Sequence, residues 1–280
     1  MAFEGLPDPV YCAGGGYGCP FRTGGGAHLV LPDGTLLRTV LVYLGGAHAN
    51  PNPGSRPYST SVVAFASRDG GFHWRYRGVV LDSAGAPESQ EGPSENALAL
   101  LRDGRTVLCV LRLDAGDSKV NRSHYLPYAR VTSADGGATW SAPVLLADVH
   151  GAPMGAARPR LLRLKGGGGA LVLAGGRLSA TNHDPRLWLN AAGDGVAWAP
   201  YSVSAVHNRL VANATYRFTA GVNTSGLHGG QSSCYSSLLG VEGGGVGLLL
   251  YEVTYAPPWS KMLNALTFAL RFSVVGDGGR

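Results

Sequence analysis

The stretch SRDGGFHW, Ser67 to Trp74, decides how this chain of 280 residues is to be read. Asp-Gly-Gly between two apolar runs supplies the positive-φ positions that a tight hairpin needs. The pattern returns as SADGGATW at Ser133 to Trp140, so both copies follow Ser-x-Asp-Gly-Gly-x-x-Trp. Segments rich in β-branched and aromatic residues flank each copy, SVVAFA and YRGVVL around the first, YARVT and SAPVLLA around the second. A looser third copy, NAAGDGVAW, runs from Asn190 to Trp198.

Working outward from these turns, four further segments share a design: LVLPDGTLLRTVLVY, ENALALLRDGRTVLCVLR, RPRLLRLKGGGGALVLAGGR and YSSLLGVEGGGVGLLLYE. Each reads as a short strand, a Gly-containing hairpin turn and a second strand. After each of the first three come another strand, an Asp-turn or its remnant, and a strand again. The unit is therefore four antiparallel strands, repeating about every 65 residues. Four units are predicted, over residues 25–82, 93–147, 156–204 and 232–274, and tandem four-stranded units fit an all-β propeller of radial sheets. A β-sandwich is the alternative, but it would not repeat one hairpin motif at one period. Residues 1–24 read as an N-terminal extension or partial blade and 25–275 as the propeller domain; residues 205–231 fit no unit, and Asn213 with its surroundings reads as a loop insertion.

Composition agrees with many short strands and tight turns: 43 residues are Gly and only 15% are charged. No apolar run reaches membrane-spanning length, and MAFEGLPDPVYCAGGG lacks the basic start and apolar middle of a secretory signal. The formal charge of +5 comes mainly from scattered arginines without a Lys/Arg cluster, which argues against nucleic acid and for a small anionic ligand. Four cysteines do not make a disulfide framework; Cys12 and Cys19 could pair in an oxidising compartment, while Cys109 reads as a small buried hydrophobe. Asn-x-Ser/Thr sequons at Asn121, Asn213 and Asn223 barely exceed chance, and lean toward a secreted or luminal compartment. His28, His48, His124 and His183 have no metal-ligand spacing. KGGGGA at Lys165 to Ala170 lies between two strands with no following helix, so it reads as a hairpin turn and not a phosphate loop.

The Ser-x-Asp-Gly-Gly-x-x-Trp turns resemble the Asp-boxes of the sialidase (neuraminidase) family, and the resemblance extends over nearly the whole chain. It implies a six-bladed type of sialidase-like propeller, some N-terminal blades of which this chain can lack. It also implies a structural role for Ser67, Asp69, Gly71, Trp74, Ser133, Asp135, Gly137 and Trp140, in an outer hairpin far from the chemistry. The expectation is that each Asp bonds the amides of its own turn while each Trp packs between strands. Function therefore has to be sought on the inner strands.

Aligning the first hairpins on their turns brings Glu95, Arg158 and Tyr235 to one position, each six residues before the apolar residue leading into the turn. Arg112 and Glu252 each follow seventeen residues later, and Arg177 lies nineteen beyond Arg158. Guanidinium groups grip a carboxylate bidentately, and a phenol relayed by a Glu can attack an anomeric centre that already carries a carboxylate. Sialidases are the Tyr-nucleophile exception among glycosidases. The resemblance implies Tyr235 as nucleophile and Glu95 as its base. It makes Arg112 a carboxylate clamp, Arg177 or alternatively Arg186 a further arginine, and Glu252 an orienting acid. Arg158 and Arg160 flank Pro159, and one is expected in the channel and the other in solvent.

Two departures matter. Glu95 to Arg112 is one residue longer than the family pattern, which flips a face unless a bulge absorbs it. At the N-terminus, Phe21-Arg22 is followed by Thr-Gly where the family has Ile-Pro, and GGAHANPNPGSRPYS holds no Asp or Glu to serve as general acid, only His48, Asn50 and Asn52. Plainer readings stand beside these: Glu95 as a surface turn acid, Arg112 as a strand-end cation reaching Asp114 or Asp117, and Tyr235 as a strand aromatic. The functional expectation is a retaining exo-sialidase or trans-sialidase needing neither metal nor organic cofactor and acting on sialylated or other anionic glycans. The alternative is a propeller that binds glycans without hydrolysing them.

Overall fold

The computed structural model describes residues 2–6, 21–22, 26–52, 59–115, 126–166, 168–177, 184–219, 232, 234–241, 245–255 and 264–274. Two compact units divide the chain, Met1–Leu146 and Ala147–Arg280. Cys12, Cys19, Asn121, Asn223, His124 and His183 lie outside the described residues.

The first unit holds two sheets. In one, β3 (His28–Val30), β4 (Leu36–Tyr43), β5 (Thr60–Ser67) and β6 (His73–Leu81) form an antiparallel series, with β2 (Phe21–Arg22) also on β4 and β1 (Ala2–Glu4) parallel to β6. The other is a plain antiparallel meander of β7 (Gly92–Leu100), β8 (Val107–Asp114), β9 (Ala129–Ser133) and β10 (Val144–Leu145). Central strands β5 and β8 are buried almost throughout, which fits their continuous apolar runs. Leu37, Val62, Val107, Cys109 and Val131 share one core, and burial pushes the Cys109 thiol pKa up, so Cys109 packs as the small hydrophobe the sequence suggests.

Where the two sheets meet, Gly92 is indispensable. Its φ is +81°, and a Cβ there would run into the Thr60 backbone carbonyl. Thr60 donates its N–H to Glu91 O and its hydroxyl to the carbonyls of Glu91 and Pro93, stitching β5 to the start of β7.

The second unit contains a meander of β11 (Met154–Arg163), β12 (Leu171–Arg177), β13 (Pro185–Asn190) and β14 (Ala199–Ser202), and a sheet of β15 (Ser237–Gly240), β16 (Val246–Tyr255) and β17 (Asn264–Ser273). These boundaries follow the predicted units closely, though the last sheet has three strands among the described residues. KGGGGA closes as a hairpin, with Leu164 N–H donating to Ala170 O.

The segment that fits no predicted unit begins in a helix: α1 (Val203–Leu210) is N-capped by Ser202, whose hydroxyl accepts from Ala205 N–H. The helix is held by His207, which is 2% exposed and hydrogen-bonded through Nδ1 to the Tyr251 hydroxyl and through Nε2 to Tyr216 O. Phe218, Tyr251 and Phe268 surround its ring. At eight residues the helix is too short to be stable alone, so tertiary packing decides its conformation. Asn213, just beyond it, is exposed and caps a 3-10 turn through Thr215 N–H.

The outer turns between third and fourth strands share one hydrogen-bond plan. Gly71 N–H donates to Ser67 Oγ, Gly137 N–H to Ser133 Oγ and Gly195 N–H to Asn190 Oδ1. Trp74, Trp140 and Trp198 each donate Nε1–H to the carbonyl of that same glycine, at 2.9, 3.1 and 3.1 Å. The loose third copy thus closes like the others, with an Asn amide oxygen standing in for the Ser hydroxyl. Asp135 accepts from Thr139 Oγ1 and N–H, Ser133 Oγ and Ala138 N–H, which holds its carboxyl far below the ordinary value near 3.8. Asp69 is depressed in the same way, chiefly by His73 N–H and ring and then by Ser67.

A carboxyl whose pKa is lowered by folding adds its stability above the unfolded value and loses it as the pH falls through the folded one. Asp135→Asn should therefore lower the thermal midpoint at pH 7, with the gap to the parent closing from about pH 4 down toward pH 2. Thermal unfolding across that range measures it; a gap that does not change with pH would mean that the turn does not depend on the ionised carboxylate.

Candidate functional site

Leu101, Leu164 and Val241 each donate N–H across the first hairpin of their sheet, to Thr106 O, Ala170 O and Val246 O. Glu95, Arg158 and Tyr235 each precede that residue by six, and all three lie at an irregular edge of the inner strand. In β7 the register shifts between Pro93 and Asn96, so Ser94 and Glu95 together face Arg112. That one-residue bulge absorbs the extra spacing between Glu95 and Arg112 and keeps the two side chains on one face. In β11 the register shifts between Gly155 and Arg160, and Ala157 has a φ of +58°. Cys234, immediately before Tyr235, has a φ of +61°. Among the described residues these are the two non-Gly positive-φ positions, and each directly precedes an aligned residue. Left-handed backbone at a residue with a Cβ costs on the order of 1 kcal/mol or more and collects at functional sites.

In the first unit the result is a compact charged cluster. Arg112 donates Nη1–H to Glu95 Oε2 at 2.6 Å and Nε–H to Asp114 Oδ1 at 2.8 Å. Their side chains are 17%, 19% and 8% exposed for Arg112, Glu95 and Asp114. Ser94 Oγ–H donates to Asp114 Oδ2, while Ser89 Oγ accepts from Asp114 N–H and donates to its carbonyl. Burial raises the Asp114 carboxyl pKa, opposed by Arg112. The plainer reading of Arg112 as a cation reaching Asp114 therefore holds in part, for it bridges Asp114 and Glu95 together.

In the second unit, Tyr235 is 43% exposed beside a buried Cys234, whose thiol pKa is pushed up by burial and by the nearby carboxylates of Asp184 and Glu252. Tyr235 lies just before β15, whose first residue, Ser237, pairs with Leu250 of β16, and Glu252 follows two residues later on β16. Arg160 donates Nε–H to Ser236 O at 2.8 Å. Arg158 and Arg160 are both half-buried, so neither is the solvated arginine expected of the pair. Arg186 is paired with Asp184 at 2.6 Å, and Asp184 in turn accepts from Ser204 Oγ–H at the start of α1. Arg177 ends β12 opposite Met154; its side chain lies outside the described residues.

Sequence reasoning offered Asp114 as a partner of Arg112 and missed Asp184. Each sits two residues from an arginine it pairs with, a spacing that places both on one face of a strand or its end. A cavity of about 840 Å³ lies elsewhere in the first unit, between the outer turns, lined by Asp33, Arg68, Asp69, Arg75, Arg105 and Asp135 among others. Its carboxylates Asp69 and Asp135 are already saturated by their own turns, so the cluster at Glu95 is the better chemical candidate. No group of metal-ligating side chains occurs among the described residues.

No family model matches the chain, and no curated protein matches its sequence. Among solved structures it is similar to a Penicillium chrysogenum α-L-arabinanase, with 16% identity and a TM-score of 0.53 over 88% of this chain and 62% of that one. It is likewise similar to an α-L-arabinofuranosidase from Fusarium graminearum, with 18% identity and a TM-score of 0.52 over 96% and 66%. A Hadza microbial sialidase aligns at 16% identity and a TM-score of 0.49 over 81% and 34%. The fold is that of a β-propeller. This propeller chain spans less than two thirds of the length of each of these structures. At this identity the likeness is one of fold alone, and the chemistry has to be argued from the residues.

Because Arg112 neutralises two partly buried carboxylates, Arg112→Met should destabilise the protein by about 3 kcal/mol in urea unfolding at pH 7. With its cation gone, the buried Asp114 carboxyl titrates higher in the folded state than in the unfolded one. The loss should therefore shrink as the pH falls from 7 toward 4. Adding Asp114→Asn should recover part of it; a double variant no better than the single one would contradict the pairing.

Proposed function

We propose that this propeller chain belongs to a retaining exo-glycosidase of the sialidase type that releases or transfers terminal sialic acid from glycoconjugates. In this reading Tyr235 is the nucleophile, Glu95 the assisting base and Glu252 an orienting acid. Arg112, Arg158 and Arg177, with Arg186 as the alternative to Arg177, serve the substrate carboxylate. The observation that carries the reading is the exposed phenol of Tyr235, mounted directly after a buried residue with left-handed backbone and flanked by Arg160 at Ser236. A tyrosine kept merely for packing would be buried and would not need a strained neighbour. A phenol is also the suitable attacking group where a carboxylate nucleophile would be repelled by the sugar's own carboxylate.

A second reading, a propeller that binds glycans without hydrolysing them, draws on a different observation. The segment GGAHANPNPGSRPYS keeps no Asp or Glu that could protonate a leaving group, so a site with its arginines and without that acid would hold a glycan and not cleave it.

Turnover of an umbelliferyl sialoside by the parent and by Tyr235→Phe separates the two. The hydrolase reading expects turnover by the parent and a fall of about 10³-fold or more in kcat for the variant. A parent that binds sialosides but does not cleave them between pH 4 and 8, on the order of the range where carboxyl and imidazole groups titrate, would favour the binder.

A further inference from the structure

A glycosidic bond to an alkyl hydroxyl breaks slowly unless the departing oxygen receives a proton, and Tyr235 and Glu95 are committed to the attacking side. Among the described residues of the first unit, Asp114 is buried and bonded to Arg112, Ser94 and Ser89, so it cannot serve a leaving group. A different arrangement stands at the loop following β4. His48 ends a 3-10 turn, Gly46–His48, and its Nδ1 lies 2.6 Å from Asp82 Oδ2. Asp82 is itself fixed, because its other oxygen accepts from Gly85 N–H at 2.7 Å. The His48 backbone is pinned as well, its carbonyl accepting from Ser83 Oγ–H and Ala84 N–H. The imidazole is partly open to solvent, at 32% exposure, and Nε2 has no hydrogen-bond partner among the described residues. An imidazole with Nδ1 held by a carboxylate and Nε2 presented outward is built to deliver or take a proton at Nε2.

The loop bearing His48 is tied to the Glu95 cluster by a short chain of bonds. Asn50 Nδ2–H donates to Ser89 O at 2.9 Å. Ser89 Oγ bonds both the N–H and the carbonyl of Asp114, and Asp114 holds Arg112, which holds Glu95. Strand direction agrees, since β4 ends, β6 ends, β7 begins and β8 ends at this same edge of the antiparallel sheets, away from the outer turns.

We infer that His48 is the general acid of this site and Asp82 its positioning residue. The inference rests on the hydrolase reading. As the glycosidic C–O bond breaks, its electron pair goes to the aglycone oxygen, which takes the proton from Nε2 and leaves as an alcohol, turning imidazolium into neutral imidazole. The attacking hydroxyl bonds the anomeric carbon through its oxygen, its own proton having passed to a carboxylate. In the second step water attacks that carbon and gives its proton to Nε2, while the attacking oxygen departs with the proton from that carboxylate. Imidazolium and carboxylate are thereby restored. This explains how GGAHANPNPGSRPYS can lack an acidic residue: the proton donor is an imidazole whose carboxylate comes from Asp82, at the far end of β6.

The test compares two sialosides differing only in leaving group, an activated umbelliferyl aglycone and an alkyl aglycone such as a lactose hydroxyl. For His48→Ala and His48→Gln, kcat/KM on the alkyl sialoside should fall about 10²- to 10⁴-fold, and on the umbelliferyl sialoside no more than about 10-fold. Asp82→Asn should shift the same ratio in the same direction by a smaller factor. A structural role would slow both substrates alike and leave the ratio unchanged. A parent active on both whose His48 variants keep the parental ratio overturns this inference alone. A parent inert on both overturns the hydrolase reading and this inference with it.

Discussion

In three sheets the outer turn closes on one glycine, whose N–H is taken by a Ser hydroxyl or Asn amide earlier in the turn and whose carbonyl is taken by a Trp indole. Register in an antiparallel pair is set by the turn that joins it, and a slip of one residue would exchange the buried and exposed faces. Closing each outer hairpin on a buried or half-buried indole therefore fixes which residues of the following strand face the core. It also frees the opposite ends of the strands from any part in holding register. Irregular backbone gathers there: the bulge at Ser94 and Glu95, the shift between Gly155 and Arg160, and the left-handed Ala157 and Cys234.

Those irregularities have a common consequence. A bulge on the inner strand leaves two residues against one on its neighbour, so a charged side chain can turn out of the ladder without exposing the apolar alternation behind it. Glu95 uses this to meet Arg112, and the same placement before the hairpin leaves Tyr235 exposed while Cys234 is buried. The electrostatics then divide by environment. Saturated turn carboxylates such as Asp135 are held ionised by their own amides and hydroxyls, whereas Asp114, buried against a single arginine, is pushed toward its neutral form.

Much of this architecture was legible in the sequence because turns carry local chemistry. Ser-x-Asp-Gly-Gly-x-x-Trp announces its own hydrogen bonds, and even the degraded copy at Asn190 keeps the Gly and Trp that make the closure. Equivalent hairpins make Glu95, Arg158 and Tyr235 comparable from the sequence alone. What stayed hidden depends on distant packing. Nothing local says that Val203–Leu210 is helical, because its conformation rests on His207 meeting Tyr251 and Tyr216. Nor could the sequence pair His48 with Asp82, on strand ends that only the sheet brings together, or say that the one-residue excess between Glu95 and Arg112 is absorbed by a bulge and not by a change of face.

The central proposal is that Tyr235 is the nucleophile of a glycosidase. Its most direct measurement is mass spectrometry of the protein after incubation with a 2,3-difluorinated sialic acid, whose fluorines slow breakdown of a glycosyl-enzyme. The account predicts a stoichiometric adduct on the peptide bearing Tyr235, absent in Tyr235→Phe. An adduct on another residue, or none while the ligand still protects the protein from unfolding, would contradict it.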